Sequence, residues 1–403
     1  MAARVSDRYH SLDALRASMM LLGIVLHSAA SFTVAPLGAS WPYQDPQTNG
    51  VFDLTVFFIH LFRMPVFFVA AGFFAAMLMQ RDGPRAFAAN RTKRVLLPLV
   101  LFWPLVFTAV AAGFTYANTR AAGAVDMTAI TSGAFLARAR LAHLWFLWDL
   151  TLFYAAAVIL VPAASRIPER WSRRIDSAFG TLATTVPGAL AMSAVTAITL
   201  LPMAKAGLDT SQSLLPPIAV LVAYGVFFTF GWLVYRRRDI IETFGKRWKA
   251  PMIAGGAASV AYLTVRVAQP LSDPATAHLV GCALAGLSMW MLIFGIVGAF
   301  VSLLDRPNPI LRYLADASYW MYIVHLPIVI TVPGMLAPSP LPAAVKFMIT
   351  LAVTATATIV SYHYLVRSTA IGKLLNGRRY PRAWPVAQPS TESSAERTLA
   401  AGR

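Results

Sequence analysis

The sequence predicts an all-α integral membrane protein, a bundle of about ten transmembrane helices with both termini cytoplasmic. Three observations carry that prediction. Of the 403 residues, 58% are hydrophobic and only 13% are charged, about half the charged share of an ordinary soluble domain. The apolar residues come in stretches of about 20, long enough to cross a hydrocarbon layer of about 30 Å. The net charge of +17 is spread in clusters between alternate apolar stretches. Membrane orientation requires that pattern, whereas nucleic-acid binding would gather the charge on one face.

Spans are expected at 12–34, 51–79, 94–117, 141–162, 182–203, 215–235, 250–269, 278–304, 311–334 and 342–366. The first follows Arg4 and Arg8 and ends in small residues, as a signal peptide would. Asp13, Arg16 and His27 inside it argue for a retained helix instead. The second carries His60 and Arg63 and stops before Arg81, Arg85, Arg91, Lys93 and Arg94. The fourth begins at His143 and Trp145, contains Asp149 and ends before Arg166, Arg170, Arg173 and Arg174. The sixth ends at Arg236, Arg237 and Arg238, and Lys246, Arg247 and Lys249 follow. The ninth begins at Arg306 and Arg312, and a basic tail from Arg367 follows the tenth. This alternation places 26 of the 34 Lys and Arg on one side. Arg120, Arg138, Arg140, Lys205 and Lys346 fall on the other, as the positive-inside rule expects of an even number of spans.

Prolines 65, 98, 104 and 187 are expected to bend their helices. Residues 1–380 read as one membrane unit, and 381–403, with Pro381, Pro385 and Pro389, as a disordered cytoplasmic tail. The single cysteine, Cys282, excludes an intramolecular disulfide and a thiolate metal site, and no metal ligand set is read.

Ionisable groups within spans cost several kcal/mol, about 2.5–3.5 at the centre on insertion scales, and so face a cavity or a partner. Arg16 and His27 are eleven residues apart. At about 100° and 1.5 Å per residue they share one helix face, about 16 Å apart along the axis, with Asp13 within about 60° of both. Alternating topology brings His60, Arg63, His143, Asp149 and His325 to the level of His27, and leaves Arg91, Lys93 and Arg94 at the opposite edge with Arg16. Bland readings stand beside these. Asp13 neutralises Arg16, Asp149 makes a polar contact between helices, His60 and Arg63 pair on one helix surface, and Arg91, Lys93 and Arg94 anchor topology. His143 and His325 bond backbone, Trp145 belongs to an aromatic belt, and His10, His278 and His363 carry no chemistry.

Several motifs then stand out. Arg16 and His27 form Arg-x10-His within SLDALRASMMLLGIVLH, and Arg91-Thr-Lys-Arg94 forms Arg-x-x-Arg. FIHLFRMPVFFVAAGFF (58–74), HLWFL (143–147) and YWMYIVHLP (319–327) follow in order. Across the whole membrane region the chain resembles the membrane acyltransferase 3 family, and within it the glucan biosynthesis protein C type that succinylates periplasmic glucans. Where the family commonly has Ser-Gly-Phe/Tyr in span two, Ala71-Gly72-Phe73 stands here, so a hydroxyl is absent. No fused hydrolase domain is expected after the bundle, so the membrane unit acts alone or with partners.

The resemblance implies an acyltransferase of the bacterial inner membrane. Its donor is a cytoplasmic acyl-CoA, with succinyl-CoA the leading case, used as co-substrate rather than held as a permanent cofactor. His27, with Arg63, His60 and His325, forms the expected catalytic set. Arg16, Arg91 and Arg94, with His143 and Trp145, form the expected substrate contacts. His27 acts as general base towards a sugar hydroxyl, and Arg63 stabilises the oxyanion or holds a succinyl carboxylate. Expected partners are the lipid bilayer, the donor, a periplasmic glucan and the glucan biosynthesis machinery, with no nucleic acid. The outer loops near Trp41, Tyr43 and 118–140 are expected to select the acceptor. The alternatives are another envelope polysaccharide or small-molecule acceptor, a transporter of an organic acid or sugar, and a non-catalytic scaffold.

Overall fold

Backbone N–H and C=O groups have no water to bond in hydrocarbon, so a chain crosses it as helices or as a closed barrel. This chain uses helices. The computed structural model describes residues 9–122, 140–164 and 166–385, and every regular element among them is helical. In order these are α1 (His10–Ala30), α2 (Gly50–Arg91), α3 (Leu97–Ala121), α4 (Trp145–Ala164), α5 (Glu169–Thr184), α6 (Val186–Leu200) and α7 (Ile218–Arg236). They continue with α8 (Ile240–Arg247), α9 (Lys249–Ala268), α10 (Pro274–Leu303), α11 (Pro309–Leu336), α12 (Ala343–Ser361) and α13 (Ala370–Asn376). Arg4, Arg8, Arg138, most of the 118–140 loop and the tail beyond 385 lie outside the described residues.

Among the described residues, eight helical stretches are long and apolar enough to cross a membrane. One runs for 72 residues from Gly50 to Ala121. That is about 108 Å of helix, over three times the hydrocarbon thickness of about 30 Å. The stretch breaks at Gly83 (φ 78°, ψ 167°), a conformation open to glycine, with Pro84 beside it. Pro65 was expected to bend this helix, but the departure from helical geometry is at Gly83. A turn of π-helix, Thr92–Leu96, then leads into α3.

The expected span at 182–203 is shorter than foreseen. α6 has 15 residues and meets amphipathic α5 at 95°. Thr185 is extended there (φ −116°, ψ 152°), its hydroxyl caps the Gly188 N–H at 3.3 Å, and Pro187 occupies the first turn of α6. Pro187 has no N–H with which to continue the α5 ladder, and a capping threonine starts a new helix.

α1 lies at the centre, against α2, α10, α11 and α12. α2 and α7 cross with their backbones touching. A Cβ on Gly72 would run into the Phe228 carbonyl, and one on Gly231 into the Val69 carbonyl. Close approach at small residues is how helices gain packing where lipid offers no hydrophobic drive. Gly72 of the Ala71-Gly72-Phe73 motif therefore has a packing role in the α2–α7 crossing.

Gly72→Leu or Gly231→Leu is expected to destabilise the bundle by at least about 3 kcal/mol. Gly256→Ala, where a Cβ would meet nothing within 4 Å, should melt like the parent protein. Thermal unfolding in detergent distinguishes them, and equal melting of all three would contradict the crossing.

Candidate active site

Proline supplies the first constraint. Pro327 in α11 has no N–H, so the carbonyl four residues earlier, Ile323, loses its helical donor. A side chain fills the gap. His143, in the short 3-10 turn before α4, places Nε2 3.2 Å from the Ile323 carbonyl and 2.9 Å from that of Tyr322. The Tyr322 hydroxyl donates back to the His143 carbonyl at 2.6 Å. His325, two residues before Pro327, places Nδ1 2.7 Å from the Tyr322 carbonyl and 3.1 Å from that of Met321.

Carbonyls only accept, so His325 Nδ1 and His143 Nε2 carry the hydrogens. In neutral rings the other nitrogens are acceptors. His27 Nδ1 lies 2.8 Å from His325 Nε2, so His27 donates there and its Nε2 keeps a lone pair. The three rings form one cluster, His27–His325 at 5.1 Å, His143–His325 at 5.0 Å and His27–His143 at 6.4 Å between centroids. His143 Nδ1 is buried and has no hydrogen-bond partner. One turn before His27, Gly23 lets the Arg63 guanidinium touch α1, where a Cβ would collide with Arg63 Nη1. Arg63 is buried, with Nε unpartnered.

The 31–49 connection covers this cluster. Trp41 stacks on His27 at 5.8 Å with planes 6° apart, meets Phe114 edge-on at 5.2 Å, and donates to Ser31 Oγ at 3.0 Å. The connection is pinned by an ion pair, Lys346 Nζ to Asp45 Oδ1 at 2.9 Å, with both side chains 0% exposed. Asp45 also accepts from Gln47 N at 2.8 Å and the Tyr43 hydroxyl at 3.2 Å. Burial, and then the Asp45 carboxylate, push the Tyr43 phenol far above its ordinary pKa, so it remains a donor. Lys346, counted from sequence among loop cations, is thus a fully buried member of this clamp.

At the other end of α1 a cavity of about 620 Å³ opens, a volume suited to a small-molecule site. Arg16, Arg81, Arg91, Arg94 and Arg378 line it against Asp13 and Asp316. Arg16 pairs with Asp13 at 3.3 Å, and its guanidinium lies 5.3 Å from the Phe74 ring centre. Arg91 lies over Phe87 and Tyr154 at 5.6 and 5.2 Å. Arg94 sits in the π turn, and its carbonyl accepts from the Tyr319 hydroxyl at 2.9 Å. Inward, the cavity ends on Met20, Phe67, Phe146 and Leu147.

The structure therefore gathers His27, His325, His143 and Arg63 in one place and Arg16, Arg91 and Arg94 in another. His60 meets the Leu208 backbone and also feels the Arg63 charge, while the Arg63 guanidinium lies against Gly23. Trp145 packs in the core against Tyr224 at 5.4 Å, away from the cavity lining. Asp149 was read as a polar contact between helices, yet both its oxygens are buried without a hydrogen-bond partner. Phe146 and Phe153, one turn to either side, offer it none. Sequence reasoning did not single out Gly23, Tyr322 or Arg378. The four-residue spacing of Gly23 and His27 was a signal for the first, and the YWMYIVHLP motif for the second.

Lys346→Met is expected to cost about 3–5 kcal/mol, because Asp45 stays buried without its counter-ion. Adding Asp45→Asn should recover more than half. Thermal unfolding of both variants checks this, and an unchanged melt of Lys346→Met would remove the clamp.

An acyltransferase domain family profile matches residues 9–365. The chain is also similar to glucans biosynthesis protein C of Salmonella paratyphi A (strain ATCC 9150 / SARB42), Salmonella agona (strain SL483) and Salmonella enteritidis PT4 (strain P125109). Each is 23% identical over 391 residues, covering 94% of this chain and 97% of the relative. No solved structure matches the chain. The chain belongs to the acyltransferase domain family and is an acyl-transferring membrane enzyme.

Proposed function

We propose that this enzyme moves an acyl group, succinyl in the leading case, from cytoplasmic acyl-CoA to a hydroxyl of a periplasmic glucan. The observation that carries this reading is the pairing of two sites along α1. An arginine-lined cavity lies at one end and an imidazole with a directed free lone pair at the other. The succinyl–glucan assignment rests on the distant similarity to glucans biosynthesis protein C. In this reading the chain crosses the inner membrane ten times, and the Gly50–Ala121 stretch crosses twice. Both termini are then cytoplasmic, supported by the excess of Lys and Arg at the cavity end.

The donor's phosphates bind Arg16, Arg91 and Arg94, since guanidinium suits phosphate oxygens. Its pantetheine arm runs inward. Met20 lies seven residues before His27, about 10 Å along the axis, so Met20 and Phe146 turn aside for the thioester to reach the base. His27 Nε2 takes the acceptor's hydroxyl proton as the oxygen attacks the thioester carbon, and His325 Nε2 keeps His27 Nδ1–H oriented. The Arg63 guanidinium stabilises the tetrahedral oxyanion. Collapse breaks the C–S bond, and the CoA thiolate recovers the proton from His27. Ester and free CoA leave, and His27 is neutral again.

The test is mass spectrometry of periplasmic glucans from cells with the gene, without it, and with His27→Ala. An alkali-labile succinyl ester in the first sample, falling at least about 10²-fold in the third, is the expected result. Glucans identical in all three would exclude the succinyl–glucan assignment. Full esterification by well-expressed His27→Ala would exclude the mechanism. His325→Ala should lower kcat by about 10²-fold with the donor KM unchanged, because it orients the base without touching the donor.

A further inference from the structure

The basic residues after α12 read from sequence as orientation signals, yet the structure brings some of them to the cavity. A second π turn, Tyr362–Val366, ends the crossing, and the chain then folds back under the bundle through α13. Asn376 Nδ2 donates to the Asp316 carbonyl at 3.1 Å and the Tyr362 hydroxyl at 3.2 Å. The Tyr380 hydroxyl donates to Asp316 Oδ1 at 3.1 Å, and its N–H to the Arg367 carbonyl at 3.0 Å. Arg367 Nε donates to the Pro381 carbonyl at 3.0 Å, and Trp384 stacks on His363 at 3.9 Å. The return is therefore anchored on both sides of Arg378.

Asn376, Gly377, Arg378 and Tyr380 all line the cavity. Gly377 ends α13 in the left-handed region (φ 80°), and its bare Cα lets the Arg94 guanidinium lie against the turn, where any Cβ would collide with it. Arg378 is exposed at the mouth, with its guanidinium 4.6 Å from the Tyr380 ring centre. The cavity wall also holds two buried polar atoms without hydrogen-bond partners, Asn90 Oδ1 and Arg91 Nε.

We propose that the Asn376–Tyr380 turn completes the donor site. Arg378 binds a phosphate group of the CoA nucleotide, and Gly377 seats Arg94 for the same purpose. The inference rests on the acyl-CoA reading above and adds to it a third part of the chain. α1 supplies Arg16, the α2–α3 junction supplies Arg91 and Arg94, and the return after α12 supplies Arg378. The nucleotide is held by the turn at the mouth, while the thioester end passes inward to parts of the bundle that the turn does not touch. The turn thus governs donor affinity and leaves the chemistry at His27 alone.

The probe is CoA itself, with pantetheine, which lacks the phosphates, as comparison. Binding is measured on the full chain in phosphatidylcholine nanodiscs. Arg378→Ala is expected to weaken CoA about tenfold and leave pantetheine unchanged, raising the donor KM with kcat retained. Gly377→Ala should weaken CoA similarly by displacing Arg94. Arg379→Ala, outside the cavity lining, should stay within twofold of the parent and so control for charge. Parent-like CoA binding by Arg378→Ala, with Arg91→Ala about tenfold weaker, would overturn the role of the turn and leave the donor reading standing. Parent protein that binds phosphatidylglycerol at this cavity but not CoA would overturn both.

Discussion

The hydrogen bond from His27 Nδ1 to His325 Nε2 ties the central helix of the bundle to α11 and decides which nitrogen of His27 remains available. It cannot be set independently of its surroundings. His325 accepts at Nε2 only because its Nδ1 is committed to the Tyr322 and Met321 carbonyls. His143 reads the same stretch of α11 through the Ile323 carbonyl that Pro327 leaves without a donor. A proline in a helix usually leaves a polar group for water or a neighbour to satisfy. Here the deficit recruits the histidine that borders the site.

The two ends of the molecule obey different electrostatic rules. At the cavity end the arginines are partly exposed, and water screens their mutual repulsion. At the His27 end, Arg63 is buried against α1 at Gly23, and the Lys346–Asp45 pair is buried, where each charge persists only with the other in place. The layer of Met20, Phe67 and Phe146 separates the two regions. Under the proposed mechanism that layer also keeps the water of the cavity away from the thioester until an acceptor arrives, since hydrolysis is the competing reaction.

Much of this was legible in the sequence because the bilayer leaves few options. Long apolar stretches had to be helices, and the eleven-residue spacing of Arg16 and His27 had to place them on one face. The level at which His143 and His325 meet His27 followed from the alternation of spans. The break at Gly83 and the short α6 were not legible. Both are set by one residue's φ/ψ preference within otherwise apolar sequence, which hydropathy does not register. The partners of Lys346 and Arg378 were not legible for a related reason. A cation near a span end has the same local pattern whether it anchors the helix in the membrane or reaches a partner far along the chain, and Asp45 lies 301 positions from Lys346.

The placement of Arg16 and His27 on a single helix has a consequence that separate elements would not give. A continuous helix is stiff over about three turns, so the distance between the cationic cavity and the base, about 16 Å along the axis, is fixed by covalent geometry rather than by packing. Gly23, between them, gives up its side chain so that Arg63 can approach α1 one turn before His27. Helices that shift around α1 can open or close the apolar layer without changing that distance. The proposed donor spans two environments, and it is measured against one rigid ruler, which is the arrangement that lets phosphate binding at one end position a thioester at the other.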